Sequence, residues 1–229
     1  MKKIIVFDLD DTLTDNSILD FYSFKIPLKQ LGIKNSLTKN NLQKMRKQGK
    51  LAKDILNFIL KENQKHLKKQ ILLIRNFFLY SSKSNNYLKL KSYTKSLFQT
   101  LKQKNVQIFL ISVRNEQYII KHFLKKNKLD IFDKIFCNEN LSFNLDNKIS
   151  QNRILIKSSL LHNILKNFGN VPQNIIYIGN SLEDMEAAKN INTKFIYFQN
   201  HYLPNESIRS KFTVKSNNEL QKLIPKMMI

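Results

Sequence analysis

The hydrophobic pattern of the chain begins as strand-like and then becomes helical over a long stretch. Residues 4–9 form a short, β-branched apolar run, which predicts a fully buried strand. From 18 to 92, apolar side chains recur at helical spacing, as at Leu51 and Ile55. The polar stretch 81–86 ends this region and is typical of a linker.

The rest of the chain alternates between the two patterns. Strands are predicted at 106–111, 134–136, 175–178 and 194–198, and helices at 94–104, 116–126, 158–168 and 182–190, with Ser158 as the capping residue of its helix. This alternation indicates parallel β-α units. We therefore predict an α/β fold with a doubly wound, Rossmann-like parallel sheet, formed by 1–16 and 87–229. A helical domain, 17–86, is inserted after the first strand.

Composition excludes several classes of protein. With 42% hydrophobic residues, the chain is too apolar to be disordered, so a packed core is expected. A single cysteine, Cys137, excludes an internal disulfide framework and fits a reducing compartment. Asp8, Asp10 and Asp11 end the first apolar run, and the apolar stretch 71–80 is too short to span a bilayer. A soluble, cytoplasmic protein without a membrane partner is expected.

Positive charge is concentrated in one part of the chain. The formal net charge is +22. The stretch from Lys25 to Lys104 contains 20 Lys and Arg residues and only two acidic ones, Asp54 and Glu62, which gives it a net charge of +18. Such a block could attract an anionic substrate, nucleic acid or a membrane surface. Because Lys outnumbers Arg by 34 to 5 and there are 28 Asn, a general compositional bias is favoured, and nucleic-acid binding is the less favoured alternative.

Two carboxylates directly follow the first predicted strand. Ligands bind at the carboxyl ends of parallel strands, and strand alternation places Asp8 and Asp10 on the same side. Two such carboxylates repel each other unless a cation or a shared proton lies between them. The pair predicts a divalent cation site, with one carboxylate as nucleophile and the other as proton donor and acceptor. The alternative is an ordinary capping turn of Asp and Thr.

Three further segments carry candidate site residues. After strand 175–178, Gly179 permits a tight turn. Asn180 and Asp184 can then offer oxygen atoms to the same cation. A plain strand-to-helix turn gives the same pattern and is the alternative. Ser112 and Val113 follow strand 106–111, where a hydroxyl and backbone amides suit phosphate oxygens; alone, an N-cap is favoured there. Lys157, just before the predicted helix, could neutralise phosphate and nucleophile.

These motifs together resemble those of the haloacid dehalogenase-like superfamily. The segment Phe7-Asp8-Leu9-Asp10-Asp11-Thr12-Leu13 resembles the first motif, and Ser112, Lys157 and the segment 179–184 follow in order on the others. The insertion resembles the helical cap of one subclass. Most members carry Asp where this chain has Asn180, so the cation site would lose one formal charge.

The resemblance implies a role for each residue. Asp8 would attack phosphorus and form an aspartyl-phosphate, and Asp10 would protonate the leaving oxygen and then activate water. Thr12, Ser112 and Val113 would orient the phosphoryl group, and Lys157 would hold Asp8 and the phosphate. Mg2+ would be bound by Asp8, Asp10, Asn180 and Asp184, directly or through water.

The implied function is a Mg2+-dependent phosphohydrolase acting on a small phosphorylated metabolite. Asp10 favours phosphate esters, because the related dehalogenases lack an acid at this position. Two alternatives stay open. One is a phosphomutase with the same nucleophile, and the other is a catalytically weak basic protein that binds nucleic acid or another polyanion.

Overall fold

The computed structural model describes residues 3–114, 117–140, 153–168, 171–199 and 208–227. These residues form two compact units. One contains 3–14 and the described residues from Leu90 onward, and the other contains 15–89. Within the described ranges, no helix is long and apolar enough to cross a membrane.

The strands form one large sheet and one small one. In chain order they are β1 (Ile4–Asp8), β2 (Thr14–Asp15), β3 (Lys89–Leu90), β4 (Gln107–Ile111), β5 (Lys134–Phe136), β6 (Ile175–Gly179), β7 (Lys194–Phe198) and β8 (Thr213–Val214). β2 and β3, where the chain passes between the units, pair with each other. The other six form a sheet in the order β5-β4-β1-β6-β7-β8, in which each neighbouring pair of strands is parallel. The predicted doubly wound α/β fold is confirmed.

The central strands are apolar except at their ends, at Asp8 and Gln107, because both faces of the sheet are covered. The helices of this unit are numbered after the four of the other unit. They are α5 (Thr94–Lys102), α6 (Gln117–Lys126), α7 (Arg153–Phe168), α8 (Leu182–Asn190) and α9 (Asn217–Met227). One core cluster joins the sheet to α7 and α8 and includes Val6, Phe109, Leu160, Ile164 and Ala187. In the register of the sheet, Asp8 lies opposite Ile111 and Phe7 opposite Ile178, so β1, β4 and β6 end at the same edge.

The unit 15–89 is helical. It contains α1 (Ser17–Gln30), α2 (Lys39–Lys47), α3 (Ala52–Ile59) and α4 (Lys68–Tyr80), with 3-10 turns at Glu62–Leu67 and Ser82–Tyr87. These helices enclose their own core, which includes Phe24, Leu28, Leu42, Ile55 and Ile71. The limits 17–86 predicted for the inserted domain lie inside this unit, and its role as a cap stays a prediction.

A buried ion cluster ties three helices of this unit together. Asp20 of α1 accepts two hydrogen bonds of 2.8 Å from the guanidinium of Arg46 and one of 3.1 Å from that of Arg75. Arg75 also lies over the ring of Phe24, 4.8 Å from its centroid. One carboxylate therefore compensates two cations.

Two local predictions were wrong. The stretch 81–86 is not a plain linker, because Ser82–Tyr87 forms a 3-10 turn in which the buried Ser84 hydroxyl donates to the Ser81 carbonyl at 2.7 Å. Helix α7 begins at Arg153, not at Ser158, so Ser158 lies inside the helix and its hydroxyl accepts a hydrogen bond from Asn190. The apolar run at 154–156 fits either a strand or a helix by pattern alone, which explains the misplaced helix start.

Candidate active site

Three polar side chains meet at the carboxyl edge of the sheet. Asp8 ends β1, Asn180 follows β6, and Thr12 lies in the loop after β1. Thr12 Oγ1 is 3.2 Å from Asp8 Oδ2 and 2.9 Å from Asn180 Oδ1, within hydrogen-bonding distance of both. A single hydroxyl proton serves only one of these acceptors fully. The structure therefore gathers three oxygen atoms around one proton.

Lys157 reaches the other oxygen of Asp8 from the interior of α7. Its Nζ lies 3.0 Å from Asp8 Oδ1 and 2.5 Å from Asp184 Oδ1, and its side chain is 1% exposed. Burial alone lowers the pKa of Lys157, but the negative charges of Asp184 and Asp8 outweigh burial and raise it above the usual lysine range. Lys157 is therefore a buried cation between two carboxylates.

Asp184 is held entirely by protein donors. Its Oδ2 accepts hydrogen bonds from the backbone N–H groups of Asn180 (3.1 Å) and Ser181 (3.0 Å) and from the Ser181 hydroxyl (2.6 Å). Its Oδ1 accepts from Lys157 and from the buried Tyr177 hydroxyl. Burial raises the pKa of Asp184, yet Lys157, Ser181 and Tyr177 together bring it below the usual value. This arrangement favours an indirect role, and direct metal binding by Asp184 stays a prediction.

Gly179 leaves the room that Asp184 occupies. A Cβ atom on Gly179 would lie 2.6 Å from Asp184 Cβ, closer than real Cβ contacts come. Only glycine therefore allows the end of β6 to pass this close to the first turn of α8.

The environment of Asp8 disfavours its charge in the absence of a cation. Burial is the main reason that the pKa of Asp8 rises to about 7. The nearby negative charges of Asp184 and Asp10 raise it further, and Lys157 opposes them. Asp8 is only 3% exposed, so additional positive charge beside it would have a large effect on its ionisation.

The loop between β1 and β2 is fixed by contacts within the same unit. The backbone N–H groups of Leu13 and Thr14 both donate to the Leu9 carbonyl, at 3.0 and 3.2 Å. The Tyr93 hydroxyl donates to the Thr12 carbonyl at 2.9 Å. Asp11 adopts a positive φ of 61° at the tightest point of the turn. These bonds determine where Thr12 and Asp10 lie relative to Asp8.

Ser112 and Val113 lie where the sequence places them, directly after β4, and both are buried. The backbone N–H of Ser112 donates to the Phe136 carbonyl at 3.0 Å and so continues the sheet. Because this N–H already donates within the sheet, the hydroxyl is the group through which Ser112 could bind a phosphate. Phosphate binding by Ser112 and Val113 stays a prediction.

Sequence reasoning missed two residues of the site. Arg114 forms a two-pronged ion pair with Asp10, with Nη2 2.9 Å from Oδ1 and Nε 3.2 Å from Oδ2. Tyr177 carries the buried hydroxyl that contacts Asp184. The one available signal for Arg114 was its rarity, since the chain has only five arginines. Nothing in the sequence distinguishes Tyr177 from the other core residues of its buried strand.

The oxygen atoms at this edge fit a hard cation, although the site carries less negative charge than one with a third acid. Among the residues that the structure describes, no group of three or more His, Cys, Asp or Glu side chains is arranged to hold a metal. Asn180 contributes an amide oxygen in place of a third acid. The convergence of Asp8 Oδ2, Thr12 Oγ1 and Asn180 Oδ1 around one proton nevertheless gives the oxygen-only donor set that Mg2+ prefers.

Comparison with known proteins agrees with this fold. A parallel α/β sheet with a buried aspartate–lysine pair at its carboxyl edge defines a Rossmann-like protein with an acidic site. Residues 5–198 match the model of the haloacid dehalogenase-like hydrolase family, and the chain belongs to that family. A search of curated proteins found no significant match.

Solved structures of the same fold come from several bacteria. A haloacid dehalogenase-like hydrolase from Streptococcus pneumoniae is 17% identical, with a TM-score of 0.71 over 97% of this chain and 98% of that one. A Clostridium difficile protein named as a phosphatase is 19% identical, with a TM-score of 0.71 over the same shares. A Haemophilus somnus protein named as a phosphoglycolate phosphatase is 17% identical, with a TM-score of 0.69, again over 97% and 98%. At these identities the likeness shows the fold.

Proposed function

We propose that this hydrolase is a Mg2+-dependent, cytoplasmic phosphatase that acts on a small phosphorylated metabolite. The observation that carries the proposal is the setting of Asp8, a buried carboxylate with Lys157 on one oxygen and Thr12 near the other. Family membership and fold relatives named as phosphatases support the same reaction class. The single cysteine of the sequence, Cys137, is buried, which fits a reducing compartment.

The chemistry begins at Asp8. One of its carboxylate oxygens attacks phosphorus, the bond from phosphorus to the ester oxygen breaks, and an aspartyl-phosphate forms. Asp10 gives the leaving oxygen its proton. Asp10 then takes a proton from water as that water attacks phosphorus, which releases inorganic phosphate and restores Asp8.

Charge neutralisation is the main contribution of the other residues. Lys157, held charged by Asp184, offsets the negative charge of both the nucleophile and the transferred phosphoryl group. Asp8 and Asn180 would hold Mg2+, whose charge would favour the ionised nucleophile and shield the phosphoryl oxygens. Thr12 and the Ser112 hydroxyl lie at the same edge, where they would orient the phosphoryl group.

The test is release of inorganic phosphate from a panel of sugar phosphates, nucleotides and short-chain phosphate esters with Mg2+. The Asp8→Asn variant keeps the size of the side chain and removes the nucleophile, so its turnover should vanish. The exposed Asp130 provides a matched control, because Asp130→Asn makes the same chemical change far from β1 in sequence. If Asp8→Asn releases phosphate as fast as the unmodified protein, the proposal is wrong.

A further inference from the structure

Arg114 holds Asp10 in a single, well-defined orientation. Its guanidinium donates to both carboxylate oxygens of Asp10, at 2.9 and 3.2 Å. Bidentate pairs of this kind fix the plane of the carboxylate as well as its position. The Arg114 side chain is 8% exposed and that of Asp10 is 21% exposed, so water weakens the pair only partly.

The backbone of Arg114 is itself anchored. Its N–H donates to Ser112 Oγ at 3.2 Å, and its carbonyl accepts a hydrogen bond from the N–H of Asn138 at 3.2 Å. The guanidinium therefore extends from a fixed point in the loop after β4. It ties that loop, with the predicted phosphate contact Ser112, to the loop after β1 that carries Asp10.

A proton donor needs such a fixed direction more than a structural carboxylate does. Transfer requires the acid to lie within hydrogen-bonding reach of the leaving oxygen, so a displaced carboxylate slows the step even when the substrate stays bound. Asp10 lies on a loop, and its side chain has two rotatable bonds. The two contacts with Arg114 restrict rotation about both of them.

We propose that Arg114 is a positioning residue for Asp10, which rests on the phosphatase function proposed above. When the bond from phosphorus to the ester oxygen breaks, its electron pair stays on that oxygen. Before this step Asp10 carries a proton on one carboxyl oxygen, while the other oxygen still accepts a hydrogen bond from Arg114. An alkoxide leaving group takes up that proton, whereas p-nitrophenolate departs as a stable anion without it. Loss of Arg114 should therefore slow alkyl phosphates much more than p-nitrophenyl phosphate.

The experiment compares kcat and KM for β-glycerol phosphate and p-nitrophenyl phosphate, with Mg2+, in the full chain. In Arg114→Gln, kcat for β-glycerol phosphate should fall at least about tenfold more than kcat for p-nitrophenyl phosphate, since general acid catalysis contributes about 10²–10⁴-fold. Arg114→Lys keeps the charge without the planar fork and should show the same selective loss. In an Asp10→Asn background, Arg114→Gln should add no further selective loss.

A second two-pronged pair in the chain gives a matched control. Arg46 binds both oxygens of Asp20 at 2.8 Å, and each of these side chains is 13% exposed. Arg46→Gln should lower thermal stability and leave the ratio of the two substrates unchanged. Melting temperatures show whether each variant is folded. If Arg114→Gln does not fold, the two substrates are compared in Arg114→Lys instead.

The outcomes separate the two proposals. If Arg114→Gln slows both substrates equally, or if Arg114→Lys restores the unmodified ratio, the positioning role is wrong and the phosphatase function stands. If the unmodified protein hydrolyses no phosphate ester, the proposed function itself fails, and the role of Arg114 fails with it.

Discussion

Replacing Lys157 with methionine should destabilise the fold strongly at neutral pH. Lys157 is 1% exposed and bridges Asp8 at 3.0 Å and Asp184 at 2.5 Å. Methionine fills a similar volume but leaves two buried carboxylates without a counterion. Removing one partner of a buried ion pair costs about 3–5 kcal/mol. For a chain of this size, that cost corresponds to a melting temperature lower by about 6–20 °C.

The loss should depend on pH in a definite direction. Burial and the nearby negative charges of Asp184 and Asp10 raise the pKa of Asp8 in the folded state, and loss of the opposing charge of Lys157 would raise it further above its unfolded value. Groups raised in this way add stability at pH values below their unfolded pKa, and the contribution disappears as the pH rises through the folded pKa. The Lys157→Met variant should therefore differ less from the unmodified protein at pH 5 than at pH 7.5.

The assay is thermal or urea unfolding of the metal-free protein at both pH values, followed by circular dichroism. Lys189→Met is the matched control, because Lys189 is 76% exposed and lies 4.0 Å from Glu186. An exposed pair of this kind contributes little, so the control should change stability by less than about 1 kcal/mol. If Lys157→Met is as stable as Lys189→Met at pH 7.5, Lys157 does not compensate the two carboxylates.

Three other predictions concern the metal, the helical unit and the turn after β6. Asn180→Asp restores a formal charge to the cation site, so the Mg2+ concentration for half-maximal phosphatase activity should fall by about tenfold; an unchanged Mg2+ titration would contradict the assignment. Burial raises the pKa of Asp20, but its two arginine partners outweigh burial and lower it, so its stabilising effect is present above its unfolded pKa and is lost as the pH falls. Asp20→Asn should therefore cost about 3 kcal/mol at pH 7 and progressively less below about pH 4 in urea unfolding, and a cost independent of pH would refute the ion-pair explanation. Gly179→Ala forces Asp184 to move and should cost about 1–3 kcal/mol by the same assay, whereas a neutral effect would show that the turn has room.

The fold could be predicted because its signals are local. β1 is apolar up to its last residue, and strands that alternate with helices imply a parallel sheet whose carboxyl ends share one edge. The same logic brought Asp8, Ser112 and Asn180 to that edge, where the structure has them. The start of α7 was missed because its first turn has an apolar pattern that suits a strand equally well.

The contacts between side chains could not be predicted from the sequence. Arg114 meets Asp10 across 104 positions, and Lys157 meets Asp8 across 149. Such pairs depend on the register of the sheet and on the rotamers that packing allows, neither of which appears in a local pattern. The displaced start of α7 also changed the setting of Lys157, from the position just before a helix to the interior of that helix.

The Tyr177 hydroxyl links the hydrophobic core around the sheet to the candidate active site at the edge of the sheet. Tyr177 packs among the aliphatic side chains around β6, yet its oxygen contacts the carboxylate that holds Lys157. An engineer who redesigned that interior for heat resistance would find phenylalanine acceptable by shape. The exchange would remove a hydrogen-bond partner of Asp184, so thermostability and turnover cannot be optimised independently at this strand.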